Sequence, residues 1–308
     1  MRSLINVLIP IFLLTCAAYG QKQRLIVNME LLSAPINPKV KPNYKDSINV
    51  YGITYLSEGL KVKGFIAAPK QKGNYPVIIY NRGGNGDFGK LGFSYVNHVL
   101  GKIAKEGYIV VASQYRGNDG GEGEEQFGGD DVNDVTNLID ILPEILNTDT
   151  TRIGMYGWSR GGMMTYLAHA KTNRLKAIAV GGAVSDLTKS ITRPDMEQVF
   201  KNRIPGYLQN KDAELNKRSV IKWVNKLPKN VPVLLLHGSA DWRVDVSQTY
   251  NLAQEFQKEG IPYRLMIFEG ADHGITEFRD EVYRQVVNWF DRFLKNNEPL
   301  PDMKPHGQ

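Results

Sequence analysis

Ile153-Gly154-Met155-Tyr156-Gly157-Trp158-Ser159-Arg160-Gly161-Gly162 is the stretch that decides the architecture. A short apolar run enters it, Gly-x-Ser-x-Gly follows, and a helical stripe over residues 162–169 leaves it. A strand that turns in this way into a helix holds its serine in a tight backbone geometry, with the hydroxyl raised over the helix N-terminus. A side chain at Gly157 or Gly161 is expected to collide with the neighbouring strand or helix. The helix dipole and the backbone N–H of Arg160 are then placed to stabilise an oxyanion beside Ser159.

Working outward, apolar runs without polar alternation recur at residues 77–80, 108–112, 152–156, 177–180, 231–236 and 263–268. Strands buried on both faces of a mostly parallel sheet read this way. Helical stripes at 96–106, 131–141, 162–169, 247–258 and 282–294 fall between most of them. Upstream, residues 25–32, 48–56 and 60–68 read as strands. The proline-bearing stretch 35–42 separates the first two, and the second and third pair across Glu58-Gly59 as an antiparallel start. Residues 185–228 exceed the usual connection length and hold Pro194, Pro205 and Gly206, which predicts a small helical cap beside the site. Together these features predict an α/β class chain with the α/β-hydrolase fold, a mostly parallel central sheet flanked by helices. Residues 48–296 form its catalytic domain, residues 21–47 an N-terminal extension and residues 297–308 a tail.

A serine hydroxyl needs a base, and the base needs a carboxylate. Of the five histidines, His306 lies in a proline-bearing tail, His169 and His98 on helices, and His237 at a strand end whose following loop already contains Asp241. His273 stands in Glu269-Gly270-Ala271-Asp272-His273-Gly274, between the strand ending at Phe268 and the last helix. Such loops line the crevice of parallel sheets. Asp241 follows the strand ending at Leu236 in the same manner. The order Ser159, Asp241, His273 is that of α/β-hydrolase triads. Asp272 and Asp245 are the rival carboxylates, and Asp272 is poorly placed to reach the ring of its own neighbour.

The loop Asn81-Arg82-Gly83-Gly84-Asn85-Gly86-Asp87 after the first buried strand is expected to bring the second oxyanion donor. Arg82, Gly83, Arg160, Trp158 and Trp242 are the expected oxyanion and pocket residues. Arg82 and Arg160 together suggest an anionic substrate group held by guanidinium, against the alternative that they turn away and pair with acidic residues. Tyr115 to Gly123 is a second glycine-bearing crevice loop without a phosphate-binding pattern. Asp130, Asp131 and Asp134 read as a helix start rather than a metal cluster. No cofactor and no metal are expected.

Arg2, the apolar run Leu4–Leu14 and Ala18-Tyr19-Gly20 form the pattern of a secretory signal over residues 1–20. The run is shorter than the roughly 20 residues that span a bilayer. Export to a periplasmic or secreted location is the expectation, with no stable membrane insertion after cleavage. A lipid anchor on Cys16, the chain's one cysteine, is the lesser alternative because Thr15 precedes it. Cleavage after Gly20 removes Cys16 and with it thiolate, disulfide and cysteine-metal chemistry. The formal charge of +6 is spread among acidic residues without an arginine-rich stripe, so nucleic-acid binding is not expected.

From Val50 to Leu294 the chain resembles the catalytic domain of the prolyl oligopeptidase family of serine peptidases. The resemblance is carried by Gly157-Trp158-Ser159-Arg160-Gly161-Gly162, His237-Gly238-Ser239-Ala240-Asp241 with Val244, Asp272-His273-Gly274, and Tyr115-Arg116-Gly117 with Gly120 and Gly123. It implies a serine-type peptidase acting on small peptides through an acyl-enzyme. Residues 21–47 leave no room for the family's N-terminal β-propeller, which keeps a carboxylesterase acting on small or carbohydrate-linked esters as the alternative. Several members carry a tyrosine donor at the position matched by Arg82. A homo-oligomer in which a partner subunit covers the crevice would replace the propeller's filter.

Overall fold

The computed structural model describes residues 24–33 and 46–307; the signal segment 1–20 and the proline-bearing stretch 35–42 lie outside the described residues. Strands β1 (Ile26–Leu31), β2 (Ile48–Ser57), β3 (Leu60–Pro69), β4 (Tyr75–Asn81), β5 (Ile109–Ser113), β6 (Thr148–Trp158), β7 (Leu175–Gly181), β8 (Val233–Gly238) and β9 (Tyr263–Phe268) join in one sheet. Their order is β1-β2-β3-β5-β4-β6-β7-β8-β9. The first three are antiparallel, and β3 runs antiparallel to β5; from β5 through β9 every pairing is parallel. Between β2 and β3, Ser57 pairs with Leu60, and Glu58 and Gly59 both take positive φ, as a two-residue hairpin turn requires.

The apolar runs sort by alternation onto two faces. Ile79, Val111, Met155, Val180 and Leu235 enter one cluster, beneath the helices Arg160–His169 and Ser247–Glu259. Ile78, Val110, Tyr156, Ala179 and Leu234 enter the other, beneath the helical segment 93–105 and the helix Arg279–Phe290. Burying both faces removes the need for polar alternation, which is why these strands read as unbroken apolar runs.

The chain passes from β4 outward to β5, then returns to β6 on the other side of β4. Such a reversal leaves a crevice at the carboxyl ends of the two strands. The loop starting at Arg82 and the turn at Ser159 emerge there, with Asn81 level with Gly157. Residues 185–228 contain the helices Pro194–Arg203 and Tyr207–Lys217. Gln248 anchors the start of this stretch by accepting the N–H groups of Ser185 and Asp186, each at 3.0 Å. Arg218 anchors its end by donating to the Phe127 carbonyl at 3.0 Å.

Candidate active site

Ser159 sits at φ 58°, ψ −125°, a region that costs a non-glycine residue free energy and persists only where surroundings impose it. The surroundings are backbone. A Cβ on Gly157 would run into the Gly161 carbonyl, and one on Gly161 into the Asn81 carbonyl. The two glycines therefore let β4, β6 and the helix Arg160–His169 close on one another, with the serine at their junction at positive φ. Arg160 opens that helix, so its N–H has no intrahelical acceptor.

Gly83 presses on the turn from β4: a Cβ there would stand 3.2 Å from Ser159 Cβ and 2.9 Å from the Trp158 carbonyl. Its N–H has no hydrogen-bond partner among the described residues. Two unpaired backbone donors, on Gly83 and Arg160, thus flank the serine.

His273 Nδ1 donates to Asp241 Oδ2 at 2.7 Å. Asp241 Oδ1 accepts the N–H groups of Arg243 at 2.8 Å and Val244 at 3.0 Å. Burial alone would raise the proton affinity of Asp241. Hydrogen bonds from His237, His273 and the Val244 N–H outweigh it and hold the carboxyl well below the usual range. Asp272 instead accepts the N–H groups of Gly274 and Thr276, and Asp245 that of Ser247. Both rivals are spent on local turns.

Ser159 and His273 make no direct hydrogen bond among the described residues; they are brought together by their neighbours. The Trp158 indole N–H donates to the His273 carbonyl at 3.0 Å, and Ser159 N–H donates to Gly181 at 2.8 Å. A Cβ on Gly182 would stand 3.2 Å from the His273 ring. Hydrogen bonds between nucleophile and base are commonly loose in the absence of substrate.

Beside Ser159 lies a cavity of about 90 Å³ walled by Phe127, Val184, Leu187, Met196 and Val199, with Arg160 on one side and Arg193 and Arg243 at the rim. The side chains expected around it take the following positions, with Arg160 lining the cavity and paired to acidic residues as in the stated alternative. Arg82 is 1% exposed; its guanidinium donates to the carbonyls of Gln114, Gly86 and Phe88 and lies 5.1 Å from the Tyr115 ring, leaving the oxyanion position to backbone. Arg160 touches the cavity, but its charge is paired with Glu125 and with Asp131 at 2.7 Å, so the two arginines do not form an anion clamp. Trp158 turns towards Gly181 and the His273 loop, because the strand register places its ring there. Trp242 is 69% exposed between the guanidinium groups of Arg193 and Arg243, outside the cavity.

Glu125 and His237 join the site beyond the residues expected from sequence. Glu125 also accepts Gly86 N–H at 2.8 Å and the Asn118 amide at 3.0 Å, tying the Gly83 loop to Arg160. Its 35-residue separation from Arg160 left no sequence signal. His237 lies 3.1 Å from Asp241 Oδ2, and its i,i+4 spacing to the aspartate was a readable signal. Among the described residues no cluster suited to a metal ion occurs, and no helix is long and apolar enough to cross a membrane.

The sequence profile of the prolyl oligopeptidase family matches residues 93–297. A Bacillus subtilis protein described as an uncharacterized peptidase, YtmA, is 32% identical over 257 residues, covering 83% of this chain and 96% of its own. A second such peptidase from that organism, YuxL, is 29% identical over 79% of this chain and 39% of its own. The Pyrococcus horikoshii acylaminoacyl peptidase structure superposes with a TM-score of 0.70 at 24% identity, over 84% of this chain and 44% of that one. The chain thus spans nearly all of one relative and less than half of the others.

Proposed function

The chain belongs to the prolyl oligopeptidase family, and we propose that it is an exported serine peptidase acting on small peptides through Ser159, His273 and Asp241. The observation that carries this reading is the 2.7 Å hydrogen bond from His273 Nδ1 to Asp241, on a loop held to the residue preceding a strained Ser159. That bond fixes the tautomer in which Nε2 is free to accept a proton.

In the proposed reaction Ser159 Oγ attacks the acyl carbon while His273 Nε2 takes the hydroxyl proton. The carbonyl oxygen becomes an oxyanion, met by the backbone N–H groups of Arg160 and Gly83. Collapse breaks the bond to the leaving group, which departs with the proton from His273. Water then loses a proton to His273 and attacks the acyl-enzyme, and expulsion of Ser159 Oγ, reprotonated by His273, restores the enzyme. The apolar cavity beside Ser159 suits an aliphatic side chain on the acyl residue. No metal or cofactor enters this scheme. Residues 1–20 support export by their sequence pattern alone.

Ester cleavage uses the same groups, and the test separates the two. kcat/KM is measured on an amide and an ester sharing one acyl group, with the Ser159→Ala variant as control. Serine-dependent amide turnover within about tenfold of the ester supports the peptidase, since His273 must then protonate a poor amine leaving group. Amide turnover lower by several powers of ten moves the assignment to carboxylesterase.

A further inference from the structure

His237 is fully buried, stands one residue before the end of β8, and is bonded at both ring nitrogens. Nδ1 lies 2.6 Å from Thr249 Oγ1, while Nε2 lies 2.9 Å from the Val244 carbonyl and 3.1 Å from Asp241 Oδ2. A carbonyl and a carboxylate can only accept, so Nε2 carries the proton and Nδ1 accepts from the threonine hydroxyl. The partners thereby turn the Nε2–H towards the Val244 carbonyl, with Asp241 Oδ2 beside it at 3.1 Å.

We propose that His237 is a positioning residue for the reaction at Ser159, fixing the Asp241 carboxylate so that it presents Oδ2 to His273. The inference rests on the triad reading above. Asp241 Oδ1 is occupied by two backbone N–H groups, and Oδ2 by His273 and His237. Three hydrogen bonds and the adjacent His237 Nε2 at 3.1 Å hold the carboxylate against rotation. Val244 closes the arrangement, since its N–H donates to Asp241 while its carbonyl accepts from His237. The other titratable groups nearby are His273 itself, Arg243 and Asp245, the last bound to Ser247 N–H. Without the His237 donor the charge on Asp241 is less dispersed, so His273 holds its proton more tightly and is less available as a base.

The test follows labelling of Ser159 by a fluorophosphonate against pH, in the purified protein, and so needs no knowledge of the substrate. His237→Leu is expected to slow labelling roughly ten- to a hundredfold, the range of a lost hydrogen bond to a charged group, and to move the acid limb upward by about half a unit or more. His237→Gln, whose amide nitrogen reaches the position of Nε2, is expected to recover most of both. Wild-type rate and acid limb in folded His237→Leu, or a glutamine variant as slow as the leucine one, overturns the proposal. Where the leucine variant does not fold, His237→Asn decides: its shorter amide keeps a polar group beside Thr249 but does not extend to Asp241. A slower rate with a raised acid limb supports the proposal, and an unchanged profile overturns it. Wild-type protein that is not labelled at Ser159 overturns the triad reading itself, an outcome distinct from labelling indifferent to His237.

Discussion

Arg160, the residue after Ser159, is ion-paired with Glu125 in the interior, with side-chain exposures of 3% and 1%. The same guanidinium donates to the Gly84 carbonyl at 2.8 Å and to Asp131, while Glu125 holds Gly86 N–H. The loop that brings Gly83 to the serine is therefore tied to the helix that carries the serine. Burial alone would weaken Arg160's hold on its proton, but Glu125 and Asp131 outweigh it; burial alone would raise the Glu125 pKa, but Arg160 and the Gly86 and Asn118 donors lower it. Both groups are charged.

Removing one partner of such a pair leaves a buried charge uncompensated. Arg160→Met is therefore expected to cost about 3–5 kcal/mol, read as a fall in the urea midpoint. The preference between neutral and acidic acyl substrates should stay as in the wild type, because the guanidinium is committed to Glu125 and Asp131. A variant of wild-type stability that loses acidic substrates would show instead that Arg160 faces the ligand.

Asp241→Asn places an amide where His273 requires an acceptor and favours the wrong tautomer. A fall in kcat of about 10⁴ is expected, with folding retained. Asp272→Ala should leave kcat near the wild-type value, since Asp272 bonds only its own turn. The reverse pattern would transfer the carboxylate's role to Asp272.

The serine turn, the two following loops and the strand set were legible because each is dictated locally. Gly157 and Gly161 are required by backbone contact, and Val233 to Leu236 by burial on both faces. The side-chain directions were not legible. Trp158 and Arg160 flank one serine, yet one turns to the His273 loop and the other to Glu125, as strand register and a distant loop decide. Arg82 reads from sequence as a crevice cation; the carbonyls of Gln114, Gly86 and Phe88 that take up its charge become its partners only once residues 86–114 have folded back.

The cavity beside Ser159, proposed to take the acyl side chain, is lined on the cap side by Met196 and Val199 of the helix Pro194–Arg203. Met196→Ala enlarges it with apolar volume and should favour substrates with a larger acyl side chain. A shift of roughly tenfold or more in relative kcat/KM between phenylalanyl and valyl substrates is expected, the worth of one or two methylenes in an apolar pocket. An unchanged ratio would place the acyl side chain elsewhere.

His169 gives the fold its own acid sensitivity. It ends the helix Arg160–His169, is fully buried, and neither ring nitrogen has a hydrogen-bond partner of good geometry among the described residues. Burial lowers its pKa from the ordinary 6.5 to about 4, against a weak opposing contribution from the Pro228 carbonyl. Above pH 6.5 the ring is neutral folded and unfolded, and it contributes no pH dependence. As pH falls from 6.5 towards 4, the unfolded chain binds a proton that the folded chain refuses, so stability is lost, by about 3 kcal/mol at the lower end. Below 4 the folded state protonates too and this loss levels off. His169→Phe keeps a ring in the site and removes the titration, so the urea midpoint of the variant should fall less steeply between pH 6.5 and 4 than that of the wild type. Equal slopes would mean that the imidazole is charged or solvated in the folded protein, and that the acid loss belongs to carboxylates such as Asp241 whose pKa the fold depresses.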